Sequence, residues 1–140
     1  MDIKWFKGIR NSEDAFAIRN EVFVKEQHVP VEEELDDQDK VCDHLVIYLL
    51  GEPVATGRII IENKKYYLGR VAVLKKYRGK GFGKILVNEL LNKIFLQGEK
   101  EVFIHAQVSA EGFYKKLGFK PYGEKFFEAG IEHINMCIIN

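Results

Sequence analysis

The sequence predicts an α+β domain built on a mixed, mostly antiparallel sheet of about six to seven strands with flanking helices. Three observations lead there. The first half holds short apolar runs broken by turn residues, as in a meander. One long amphipathic helix is then bracketed by two strands, which makes those strands a parallel pair. Two further strand-like runs close the chain.

Each element has a local reason. Ile3 to Ile9 is a short strand. Asn11 or Ser12 can cap a helix to about Lys25, with Ala15, Ile18 and Val22 on one face. Pro30 and the acidic stretch to about Lys40 are loop or a broken short helix. Leu45 to Leu50 is an apolar run ended by the turn Gly51-Glu52-Pro53. Val54 to Glu62 and Tyr66 to Leu74 follow, separated by Asn63-Lys64-Lys65, and the three runs form an antiparallel meander. From Gly81 to Gln97, Val87, Leu90, Leu91, Ile94 and Phe95 share one helical face, and Gly98 stops the helix. Val102 to Gln107 is the strand after this crossover. Ser109 caps a short helix that Gly118 ends, and Lys120 to Phe127 and His133 to Ile139 are the last two strands.

Composition bounds the function. At 140 residues, the chain is a single domain spanning 1–140 with room for a proper core. A net charge of zero gives no general attraction to nucleic acid or to a membrane surface. Met1-Asp2-Ile3-Lys4-Trp5 is polar and has no apolar h-region, so no secretory signal is expected. Cys42 and Cys137 lack metal-ligand spacing. They are expected to be free thiols in a reducing cytoplasm, with no metal. The charge is segregated. Seven acids and no Lys or Arg lie between Glu26 and Asp39, and six bases and no acid lie between Arg70 and Asn88.

The richest segment runs Val71-Ala72-Val73-Leu74-Lys75-Lys76-Tyr77-Arg78-Gly79-Lys80-Gly81-Phe82-Gly83-Lys84. A strand enters a basic loop with glycines at alternate positions, and a helix leaves it. Glycine permits close backbone approach, and a helix start offers unpaired N–H groups, so the pattern suits a pyrophosphate. The dinucleotide pattern G-x-G-x-x-G fails because Lys84 or Leu86 stands at its last position. The P-loop fails because Ile85 follows Gly83-Lys84. What remains, Arg78-x-x-Gly81-x-Gly83, resembles the acyl-coenzyme-A loop of the GNAT superfamily of N-acetyltransferases. A second segment, Ala110-Glu111-Gly112-Phe113-Tyr114-Lys115-Lys116-Leu117-Gly118-Phe119, is similar to another motif of that family. It lies in the right order, and the resemblance covers essentially the whole chain.

The resemblance implies a fold in which the parallel strands splay apart and acetyl-CoA's pantetheine arm fills the gap. It also implies the cofactor-binding residues. Val71, Ala72 and Val73 would pair with the arm, and the backbone of Gly79, Lys80, Gly81, Phe82, Gly83 and Lys84 would hold the pyrophosphate, with Arg78 beside them. Gln107, Phe113 and Lys116 complete that set. Tyr114 matches the tyrosine that protonates the leaving thiolate, a role open to a phenol that is protonated at neutral pH. The reaction implied is direct attack by a primary amine on acetyl-CoA in a ternary complex.

The base is open. Where many relatives have a glutamate on the strand before the loop, this chain has Leu68-Gly69-Arg70, which leaves His105 and His44 as candidates. The N-terminal third, with Arg19, Val22-Phe23-Val24-Lys25-Glu26-Gln27, Pro30, Asp39, His44 and Arg58, resembles the YjcF/ElaA-like subgroup of bacterial acetyltransferases. It also resembles acyl-homoserine-lactone synthases, which share the fold. Arg19, Phe23, Glu26 and His105 are the candidate acceptor-binding residues. The acidic segment would either attract a cationic amine or stand as a solvated loop. The partner expected is a small-molecule or peptide amine, with the protein a monomer or homodimer. A non-catalytic acyl-CoA sensor is the alternative of a different class.

Overall fold

The computed structural model describes residues 1–140. Seven strands form one sheet: β1 (Asp2–Lys7), β2 (Asp43–Leu49), β3 (Glu52–Glu62), β4 (Lys65–Val73), β5 (Glu101–Gln107), β6 (Lys120–Glu128) and β7 (Ile131–Ile139), in the order β1-β2-β3-β4-β5-β7-β6. Every neighbouring pair is antiparallel except β4 and β5. The helices are α1 (Glu13–Arg19), α2 (Val31–Glu34), α3 (Phe82–Leu96) and α4 (Glu111–Lys116). None is long and apolar enough to cross a membrane.

The two faces of the sheet are covered differently. Leu86, Leu90 and Ile94 of α3 are fully buried against Leu45, Ile47, Val54 and Val102, in a core that also takes in Phe119 and Met136. Each such side chain contributes about 1.5–3 kcal/mol by leaving water. Gly57 on β3 makes this approach possible, because a Cβ there would lie 2.9 Å from Leu90 Cδ1. On the opposite face Ala15, Ile18 and Val22 pack on Val46, Tyr48 and Ala72.

The expected elements are present, with shifted ends and three local differences. The first helix spans its expected length, but after Arg19 it widens into π-helix over Asn20–Glu26, with Gln27 N–H donating to Val22 O at 3.0 Å. Ser12 precedes it, yet its hydroxyl donates to Gly8 O at 2.8 Å and caps nothing. Ser109 likewise lies in a 3₁₀ turn, Val108–Ala110, ahead of α4, whose N-cap is Ala110.

The acidic segment is only partly solvated, with Glu26, Glu32, Glu33, Asp36 and Asp37 exposed. α2 and a 3₁₀ turn over Asp37–Lys40 fold it inward, and Glu34 and Asp39 are buried. Arg19 Nε lies 2.6 Å from Glu34 Oε1, and Arg19 Nη1 lies 2.7 Å from Asp39 Oδ1. Arg58 Nη1 binds Asp36 Oδ1 at 2.7 Å and Asp39 Oδ1 at 2.8 Å. Arg70 donates to the Glu34 carbonyl at 2.8 Å. Buried carboxylates need such partners, because an unpaired charge out of water costs several kcal/mol. Three basic side chains from α1, β3 and β4 therefore fix this wall of the molecule.

Candidate active site

Strands β4 and β5 pair over three positions only, Tyr66↔Val102, Tyr67↔Phe103 and Leu68↔Ile104. Beyond Leu68 they part. The cause lies in β4, where three steps from Gly69 to Ala72 oppose two from Arg58 to Thr56, so β4 carries a bulge. Arg70 takes φ 48° within it, a left-handed conformation unusual for arginine. The edge of Gly69–Val73 facing β5 is left without a strand partner. This opening is a cleft of about 1070 Å³.

The glycine loop closes one end of the cleft. Gly81 is the N-cap of α3 with φ 90°, no side chain caps the helix, and Gly79 has φ 76°. The first N–H groups of α3 therefore stay unpaired and aim a positive dipole end at the cleft. Nothing lies within 4 Å of where a Cβ would stand on Gly79 or Gly81, so the loop is open to a ligand. At Gly83 a Cβ would lie 3.2 Å from Phe113 Cζ. The two sequence motifs thus meet at Gly83 and Phe113. Gly79, Gly81, Phe82, Gly83 and Lys84 line the cleft, whereas Lys80 and Lys116 do not.

Tyr114 lies beside this end, 5% exposed, its ring edge-on to Phe113 and Phe119 at 5.0 and 5.6 Å. It lines the cleft, and burial alone pushes its phenol upward, so the hydroxyl keeps its proton at neutral pH.

The other expected residues divide. Val71, Ala72, Val73, Phe23, His105, Gln107 and Phe113 line the cleft. Gln107 Nε2 donates to Gln27 Oε1 at 2.8 Å. Arg78 also reaches the cleft, but Glu26 holds its guanidinium at 2.6 and 2.8 Å, and its Nε donates to Val73 O at 2.9 Å. The hydrogen bond from Arg78 depresses the Glu26 carboxyl. Arg19 is 1% exposed and absent from the cleft, its guanidinium used wholly by Glu34 and Asp39. His44 is equally buried, between Cys42 Sγ at 3.5 Å and Asp39 O at 3.3 Å. The basic run is likewise split, since Arg70 serves the acidic wall and Arg78 serves Glu26.

Sequence reading missed Glu128, His133, Tyr67 and the bridging role of Gln27. His105 Nδ1 lies 3.5 Å from Glu128 Oε1, and His133 Nε2 lies 3.9 Å from Glu128 Oε2. The Glu128 contact raises the His105 pKa, and His105 in turn lowers that of Glu128. No local signal marks Glu128, which precedes an ordinary Ala129-Gly130 turn. Asp39, Cys42 and His44 cluster closely enough to suggest metal ligands, but both Asp39 oxygens already accept from arginines.

Residues 9–139 match the acetyltransferase (GNAT) domain family. The chain belongs to that family. It is 41% identical over 124 residues to the Bacillus subtilis N-acetyltransferase YjcF, covering 88% of this chain and 89% of the relative. Among solved structures, Escherichia coli ElaA superposes with a TM-score of 0.88 at 27% identity, covering 99% of both chains. An acyl-CoA N-acyltransferase from Pseudomonas aeruginosa gives 0.86 at 26%, with the same coverage. The splayed β4–β5 pair is thus part of a GNAT fold, as the sequence resemblance implied.

Proposed function

We propose that the protein transfers an acetyl group from acetyl-CoA to a primary amine by direct attack within a ternary complex. The observation that carries this reading is the cleft itself. An unpaired β4 edge, a glycine-capped helix start and the buried Tyr114 line the same cleft. An extended pantetheine arm would pair with the edge of Val71–Val73, as a peptide pairs with an open sheet edge. The N–H groups of α3 and Lys84 would receive the pyrophosphate. Tyr114 would protonate the departing thiolate. The amine would be a small molecule or an exposed peptide amine, and the site would act without a metal.

Thermal unfolding with acetyl-CoA, followed by thiol release with an amine panel, tests the reading. At 100-fold excess over Kd, binding should stabilise the fold by about 2.7 kcal/mol. Gly81→Glu should remove that shift through backbone strain at positive φ and a like charge at the anion site. Stabilisation without thiol release for any amine would favour a sensor instead. The absence of a carboxylate at Leu68, Gly69 or Arg70 is the feature that a sensor would explain.

A further inference from the structure

The proposed transfer needs a proton acceptor, because an ordinary primary alkylamine is an ammonium ion at neutral pH and cannot attack as one. Sheet geometry separates the candidates. On β5, Val102, Ile104 and Ala106 belong to the core under α3, as does Tyr114. Side chains alternate along a strand, so Phe103, His105 and Gln107 stand on the opposite face. His105 is the first β5 residue beyond the last parallel pair, Leu68↔Ile104, where the gap begins. It lines the cleft and is half-exposed. The thiolate's acid and this imidazole therefore flank the gap from its two sides, the arrangement needed if a nucleophile arrives on one side and a leaving group departs on the other.

We infer, on the basis of the acetyl-transfer reading, that His105 is the catalytic base that deprotonates the acceptor amine, with Glu128 as its positioning residue. The groups around His105 support this. Glu128 of β6 faces Nδ1, which leaves Nε2 as the nitrogen available to the amine. Tyr67 of β4 and Phe126 of β6 hold the ring edge-on at 5.6 and 5.5 Å. His133 of β7 stacks on Phe126 and shares Glu128. Glu62 of β3 adds negative charge toward His105, and Arg70 of β4 adds positive charge toward Glu128. His44, the other histidine considered, is enclosed in the arginine–carboxylate network and lies outside the cleft.

The proton count balances. The ammonium gives one proton to His105 Nε2, and the imidazolium releases it to water. The neutral nitrogen attacks the thioester carbon, the C–N bond forms and the C–S bond breaks. The nitrogen loses its second proton to water as Tyr114 gives one to the thiolate, and water restores the phenol. The net products are an amide, coenzyme A and one proton.

Two probe amines test the role. Butylamine is an ammonium ion at pH 7, whereas 2,2,2-trifluoroethylamine is already mostly neutral. His105→Gln should slow acetylation of butylamine by roughly 10²- to 10⁴-fold and that of trifluoroethylamine by at least ten-fold less. The butylamine rate of the parent protein should rise with pH as His105 loses its proton. Glu128→Gln should move that limb to lower pH, together with the His105 ring titration read by NMR. Equal losses with both amines, or no loss with either, would overturn the assignment of His105 while leaving acetyl transfer intact. An unmoved titration in Glu128→Gln would remove the role of Glu128. A parent protein that acetyl-CoA stabilises but that consumes it with neither of these two amines and with no member of the amine panel would refute the transfer reading, and the base with it.

Discussion

Gln27 and Gln107, eighty positions apart in the chain, meet side chain to side chain across the mouth of the cleft at 2.8 Å. Gln27 ends the π-helical segment and Gln107 ends β5, so the contact ties the N-terminal helix to the strand beyond the splay. If Gln107 serves the pantetheine arm, Gln27 competes for its amide. Gln27→Ala should then tighten acetyl-CoA binding two- to ten-fold, and Gln107→Ala should weaken it similarly, since a net hydrogen bond is worth about 0.5–1.5 kcal/mol. Isothermal titration reads both. Weaker binding in Gln27→Ala would make Gln27 the contact residue.

With Arg78 neutralised by Glu26, any general attraction for phosphates falls to the lysines around the loop. Coenzyme A affinity should fall as ionic strength rises, and dephospho-coenzyme A should bind more weakly, if Lys75, Lys76 and Lys80 meet the 3′-phosphate. Equal affinities for the two ligands at low salt would show that these lysines face solvent only.

Tyr114→Phe removes one hydroxyl and keeps the ring between Phe113 and Phe119. Stability and acetyl-CoA affinity should change little. The transfer rate should fall toward the low end of roughly 10²- to 10⁴-fold, because a thiolate leaves tolerably without help. The loss should appear equally in kcat and kcat/KM, since the proton is needed only as the thiolate departs. A variant as fast as the parent would leave Tyr114 a packing residue.

The arginine–carboxylate network predicts an acid limit to stability. Burial alone would raise the Asp39 carboxyl, but the Arg19 hydrogen bond and the charges of Arg19 and Arg58 outweigh it and hold it at about 2, against 3.8 for the free side chain. A depressed pKa in the folded state gives stability that is fully present above about pH 5 and lost as pH falls toward 2. The loss from Asp39 alone is about 2 kcal/mol. Asp36, Glu26 and Glu128 are shifted the same way and add to it. Urea midpoints between pH 7 and pH 3 should show the slope, and Asp39→Asn should flatten it. A variant with the parent's slope would place the acid sensitivity elsewhere.

What the sequence disclosed follows from how local each signal is. The periodicity of Val87, Leu90, Leu91 and Ile94 and the spacing of Gly81 and Gly83 are written within a few residues, so α3 and the glycine loop ahead of it are readable. The splay was readable only through resemblance, because its physical cause is a bulge at Arg70 and a pairing between distant strands. Arg19 reads as a candidate acceptor contact, Arg70 as part of a basic run, and the acidic run as either an amine attractor or a solvated loop. Their mutual burial is a tertiary fact that linear charge patterning does not carry. His133 reaches the cleft because β7 pairs with β5, and Glu128 because the β6–β7 turn sets it opposite Ile131 at that end of β7.

The three rungs joining β4 to β5 make the sheet, mechanically, two blades riveted at one end. One blade is β1 to β4 and the other is β5, β7 and β6. Any rotation about Tyr66–Leu68 would displace Val73 and Gln107, several residues beyond the last rung, more than the rungs themselves. On the proposed function, the side-chain contact between Gln27 and Gln107 would bear on the width of the slot, and so would an acyl-CoA lying in it. Amide exchange at Leu68 and Ile104 would report on that rivet, and a longer acyl chain would load it more heavily than an acetyl group does.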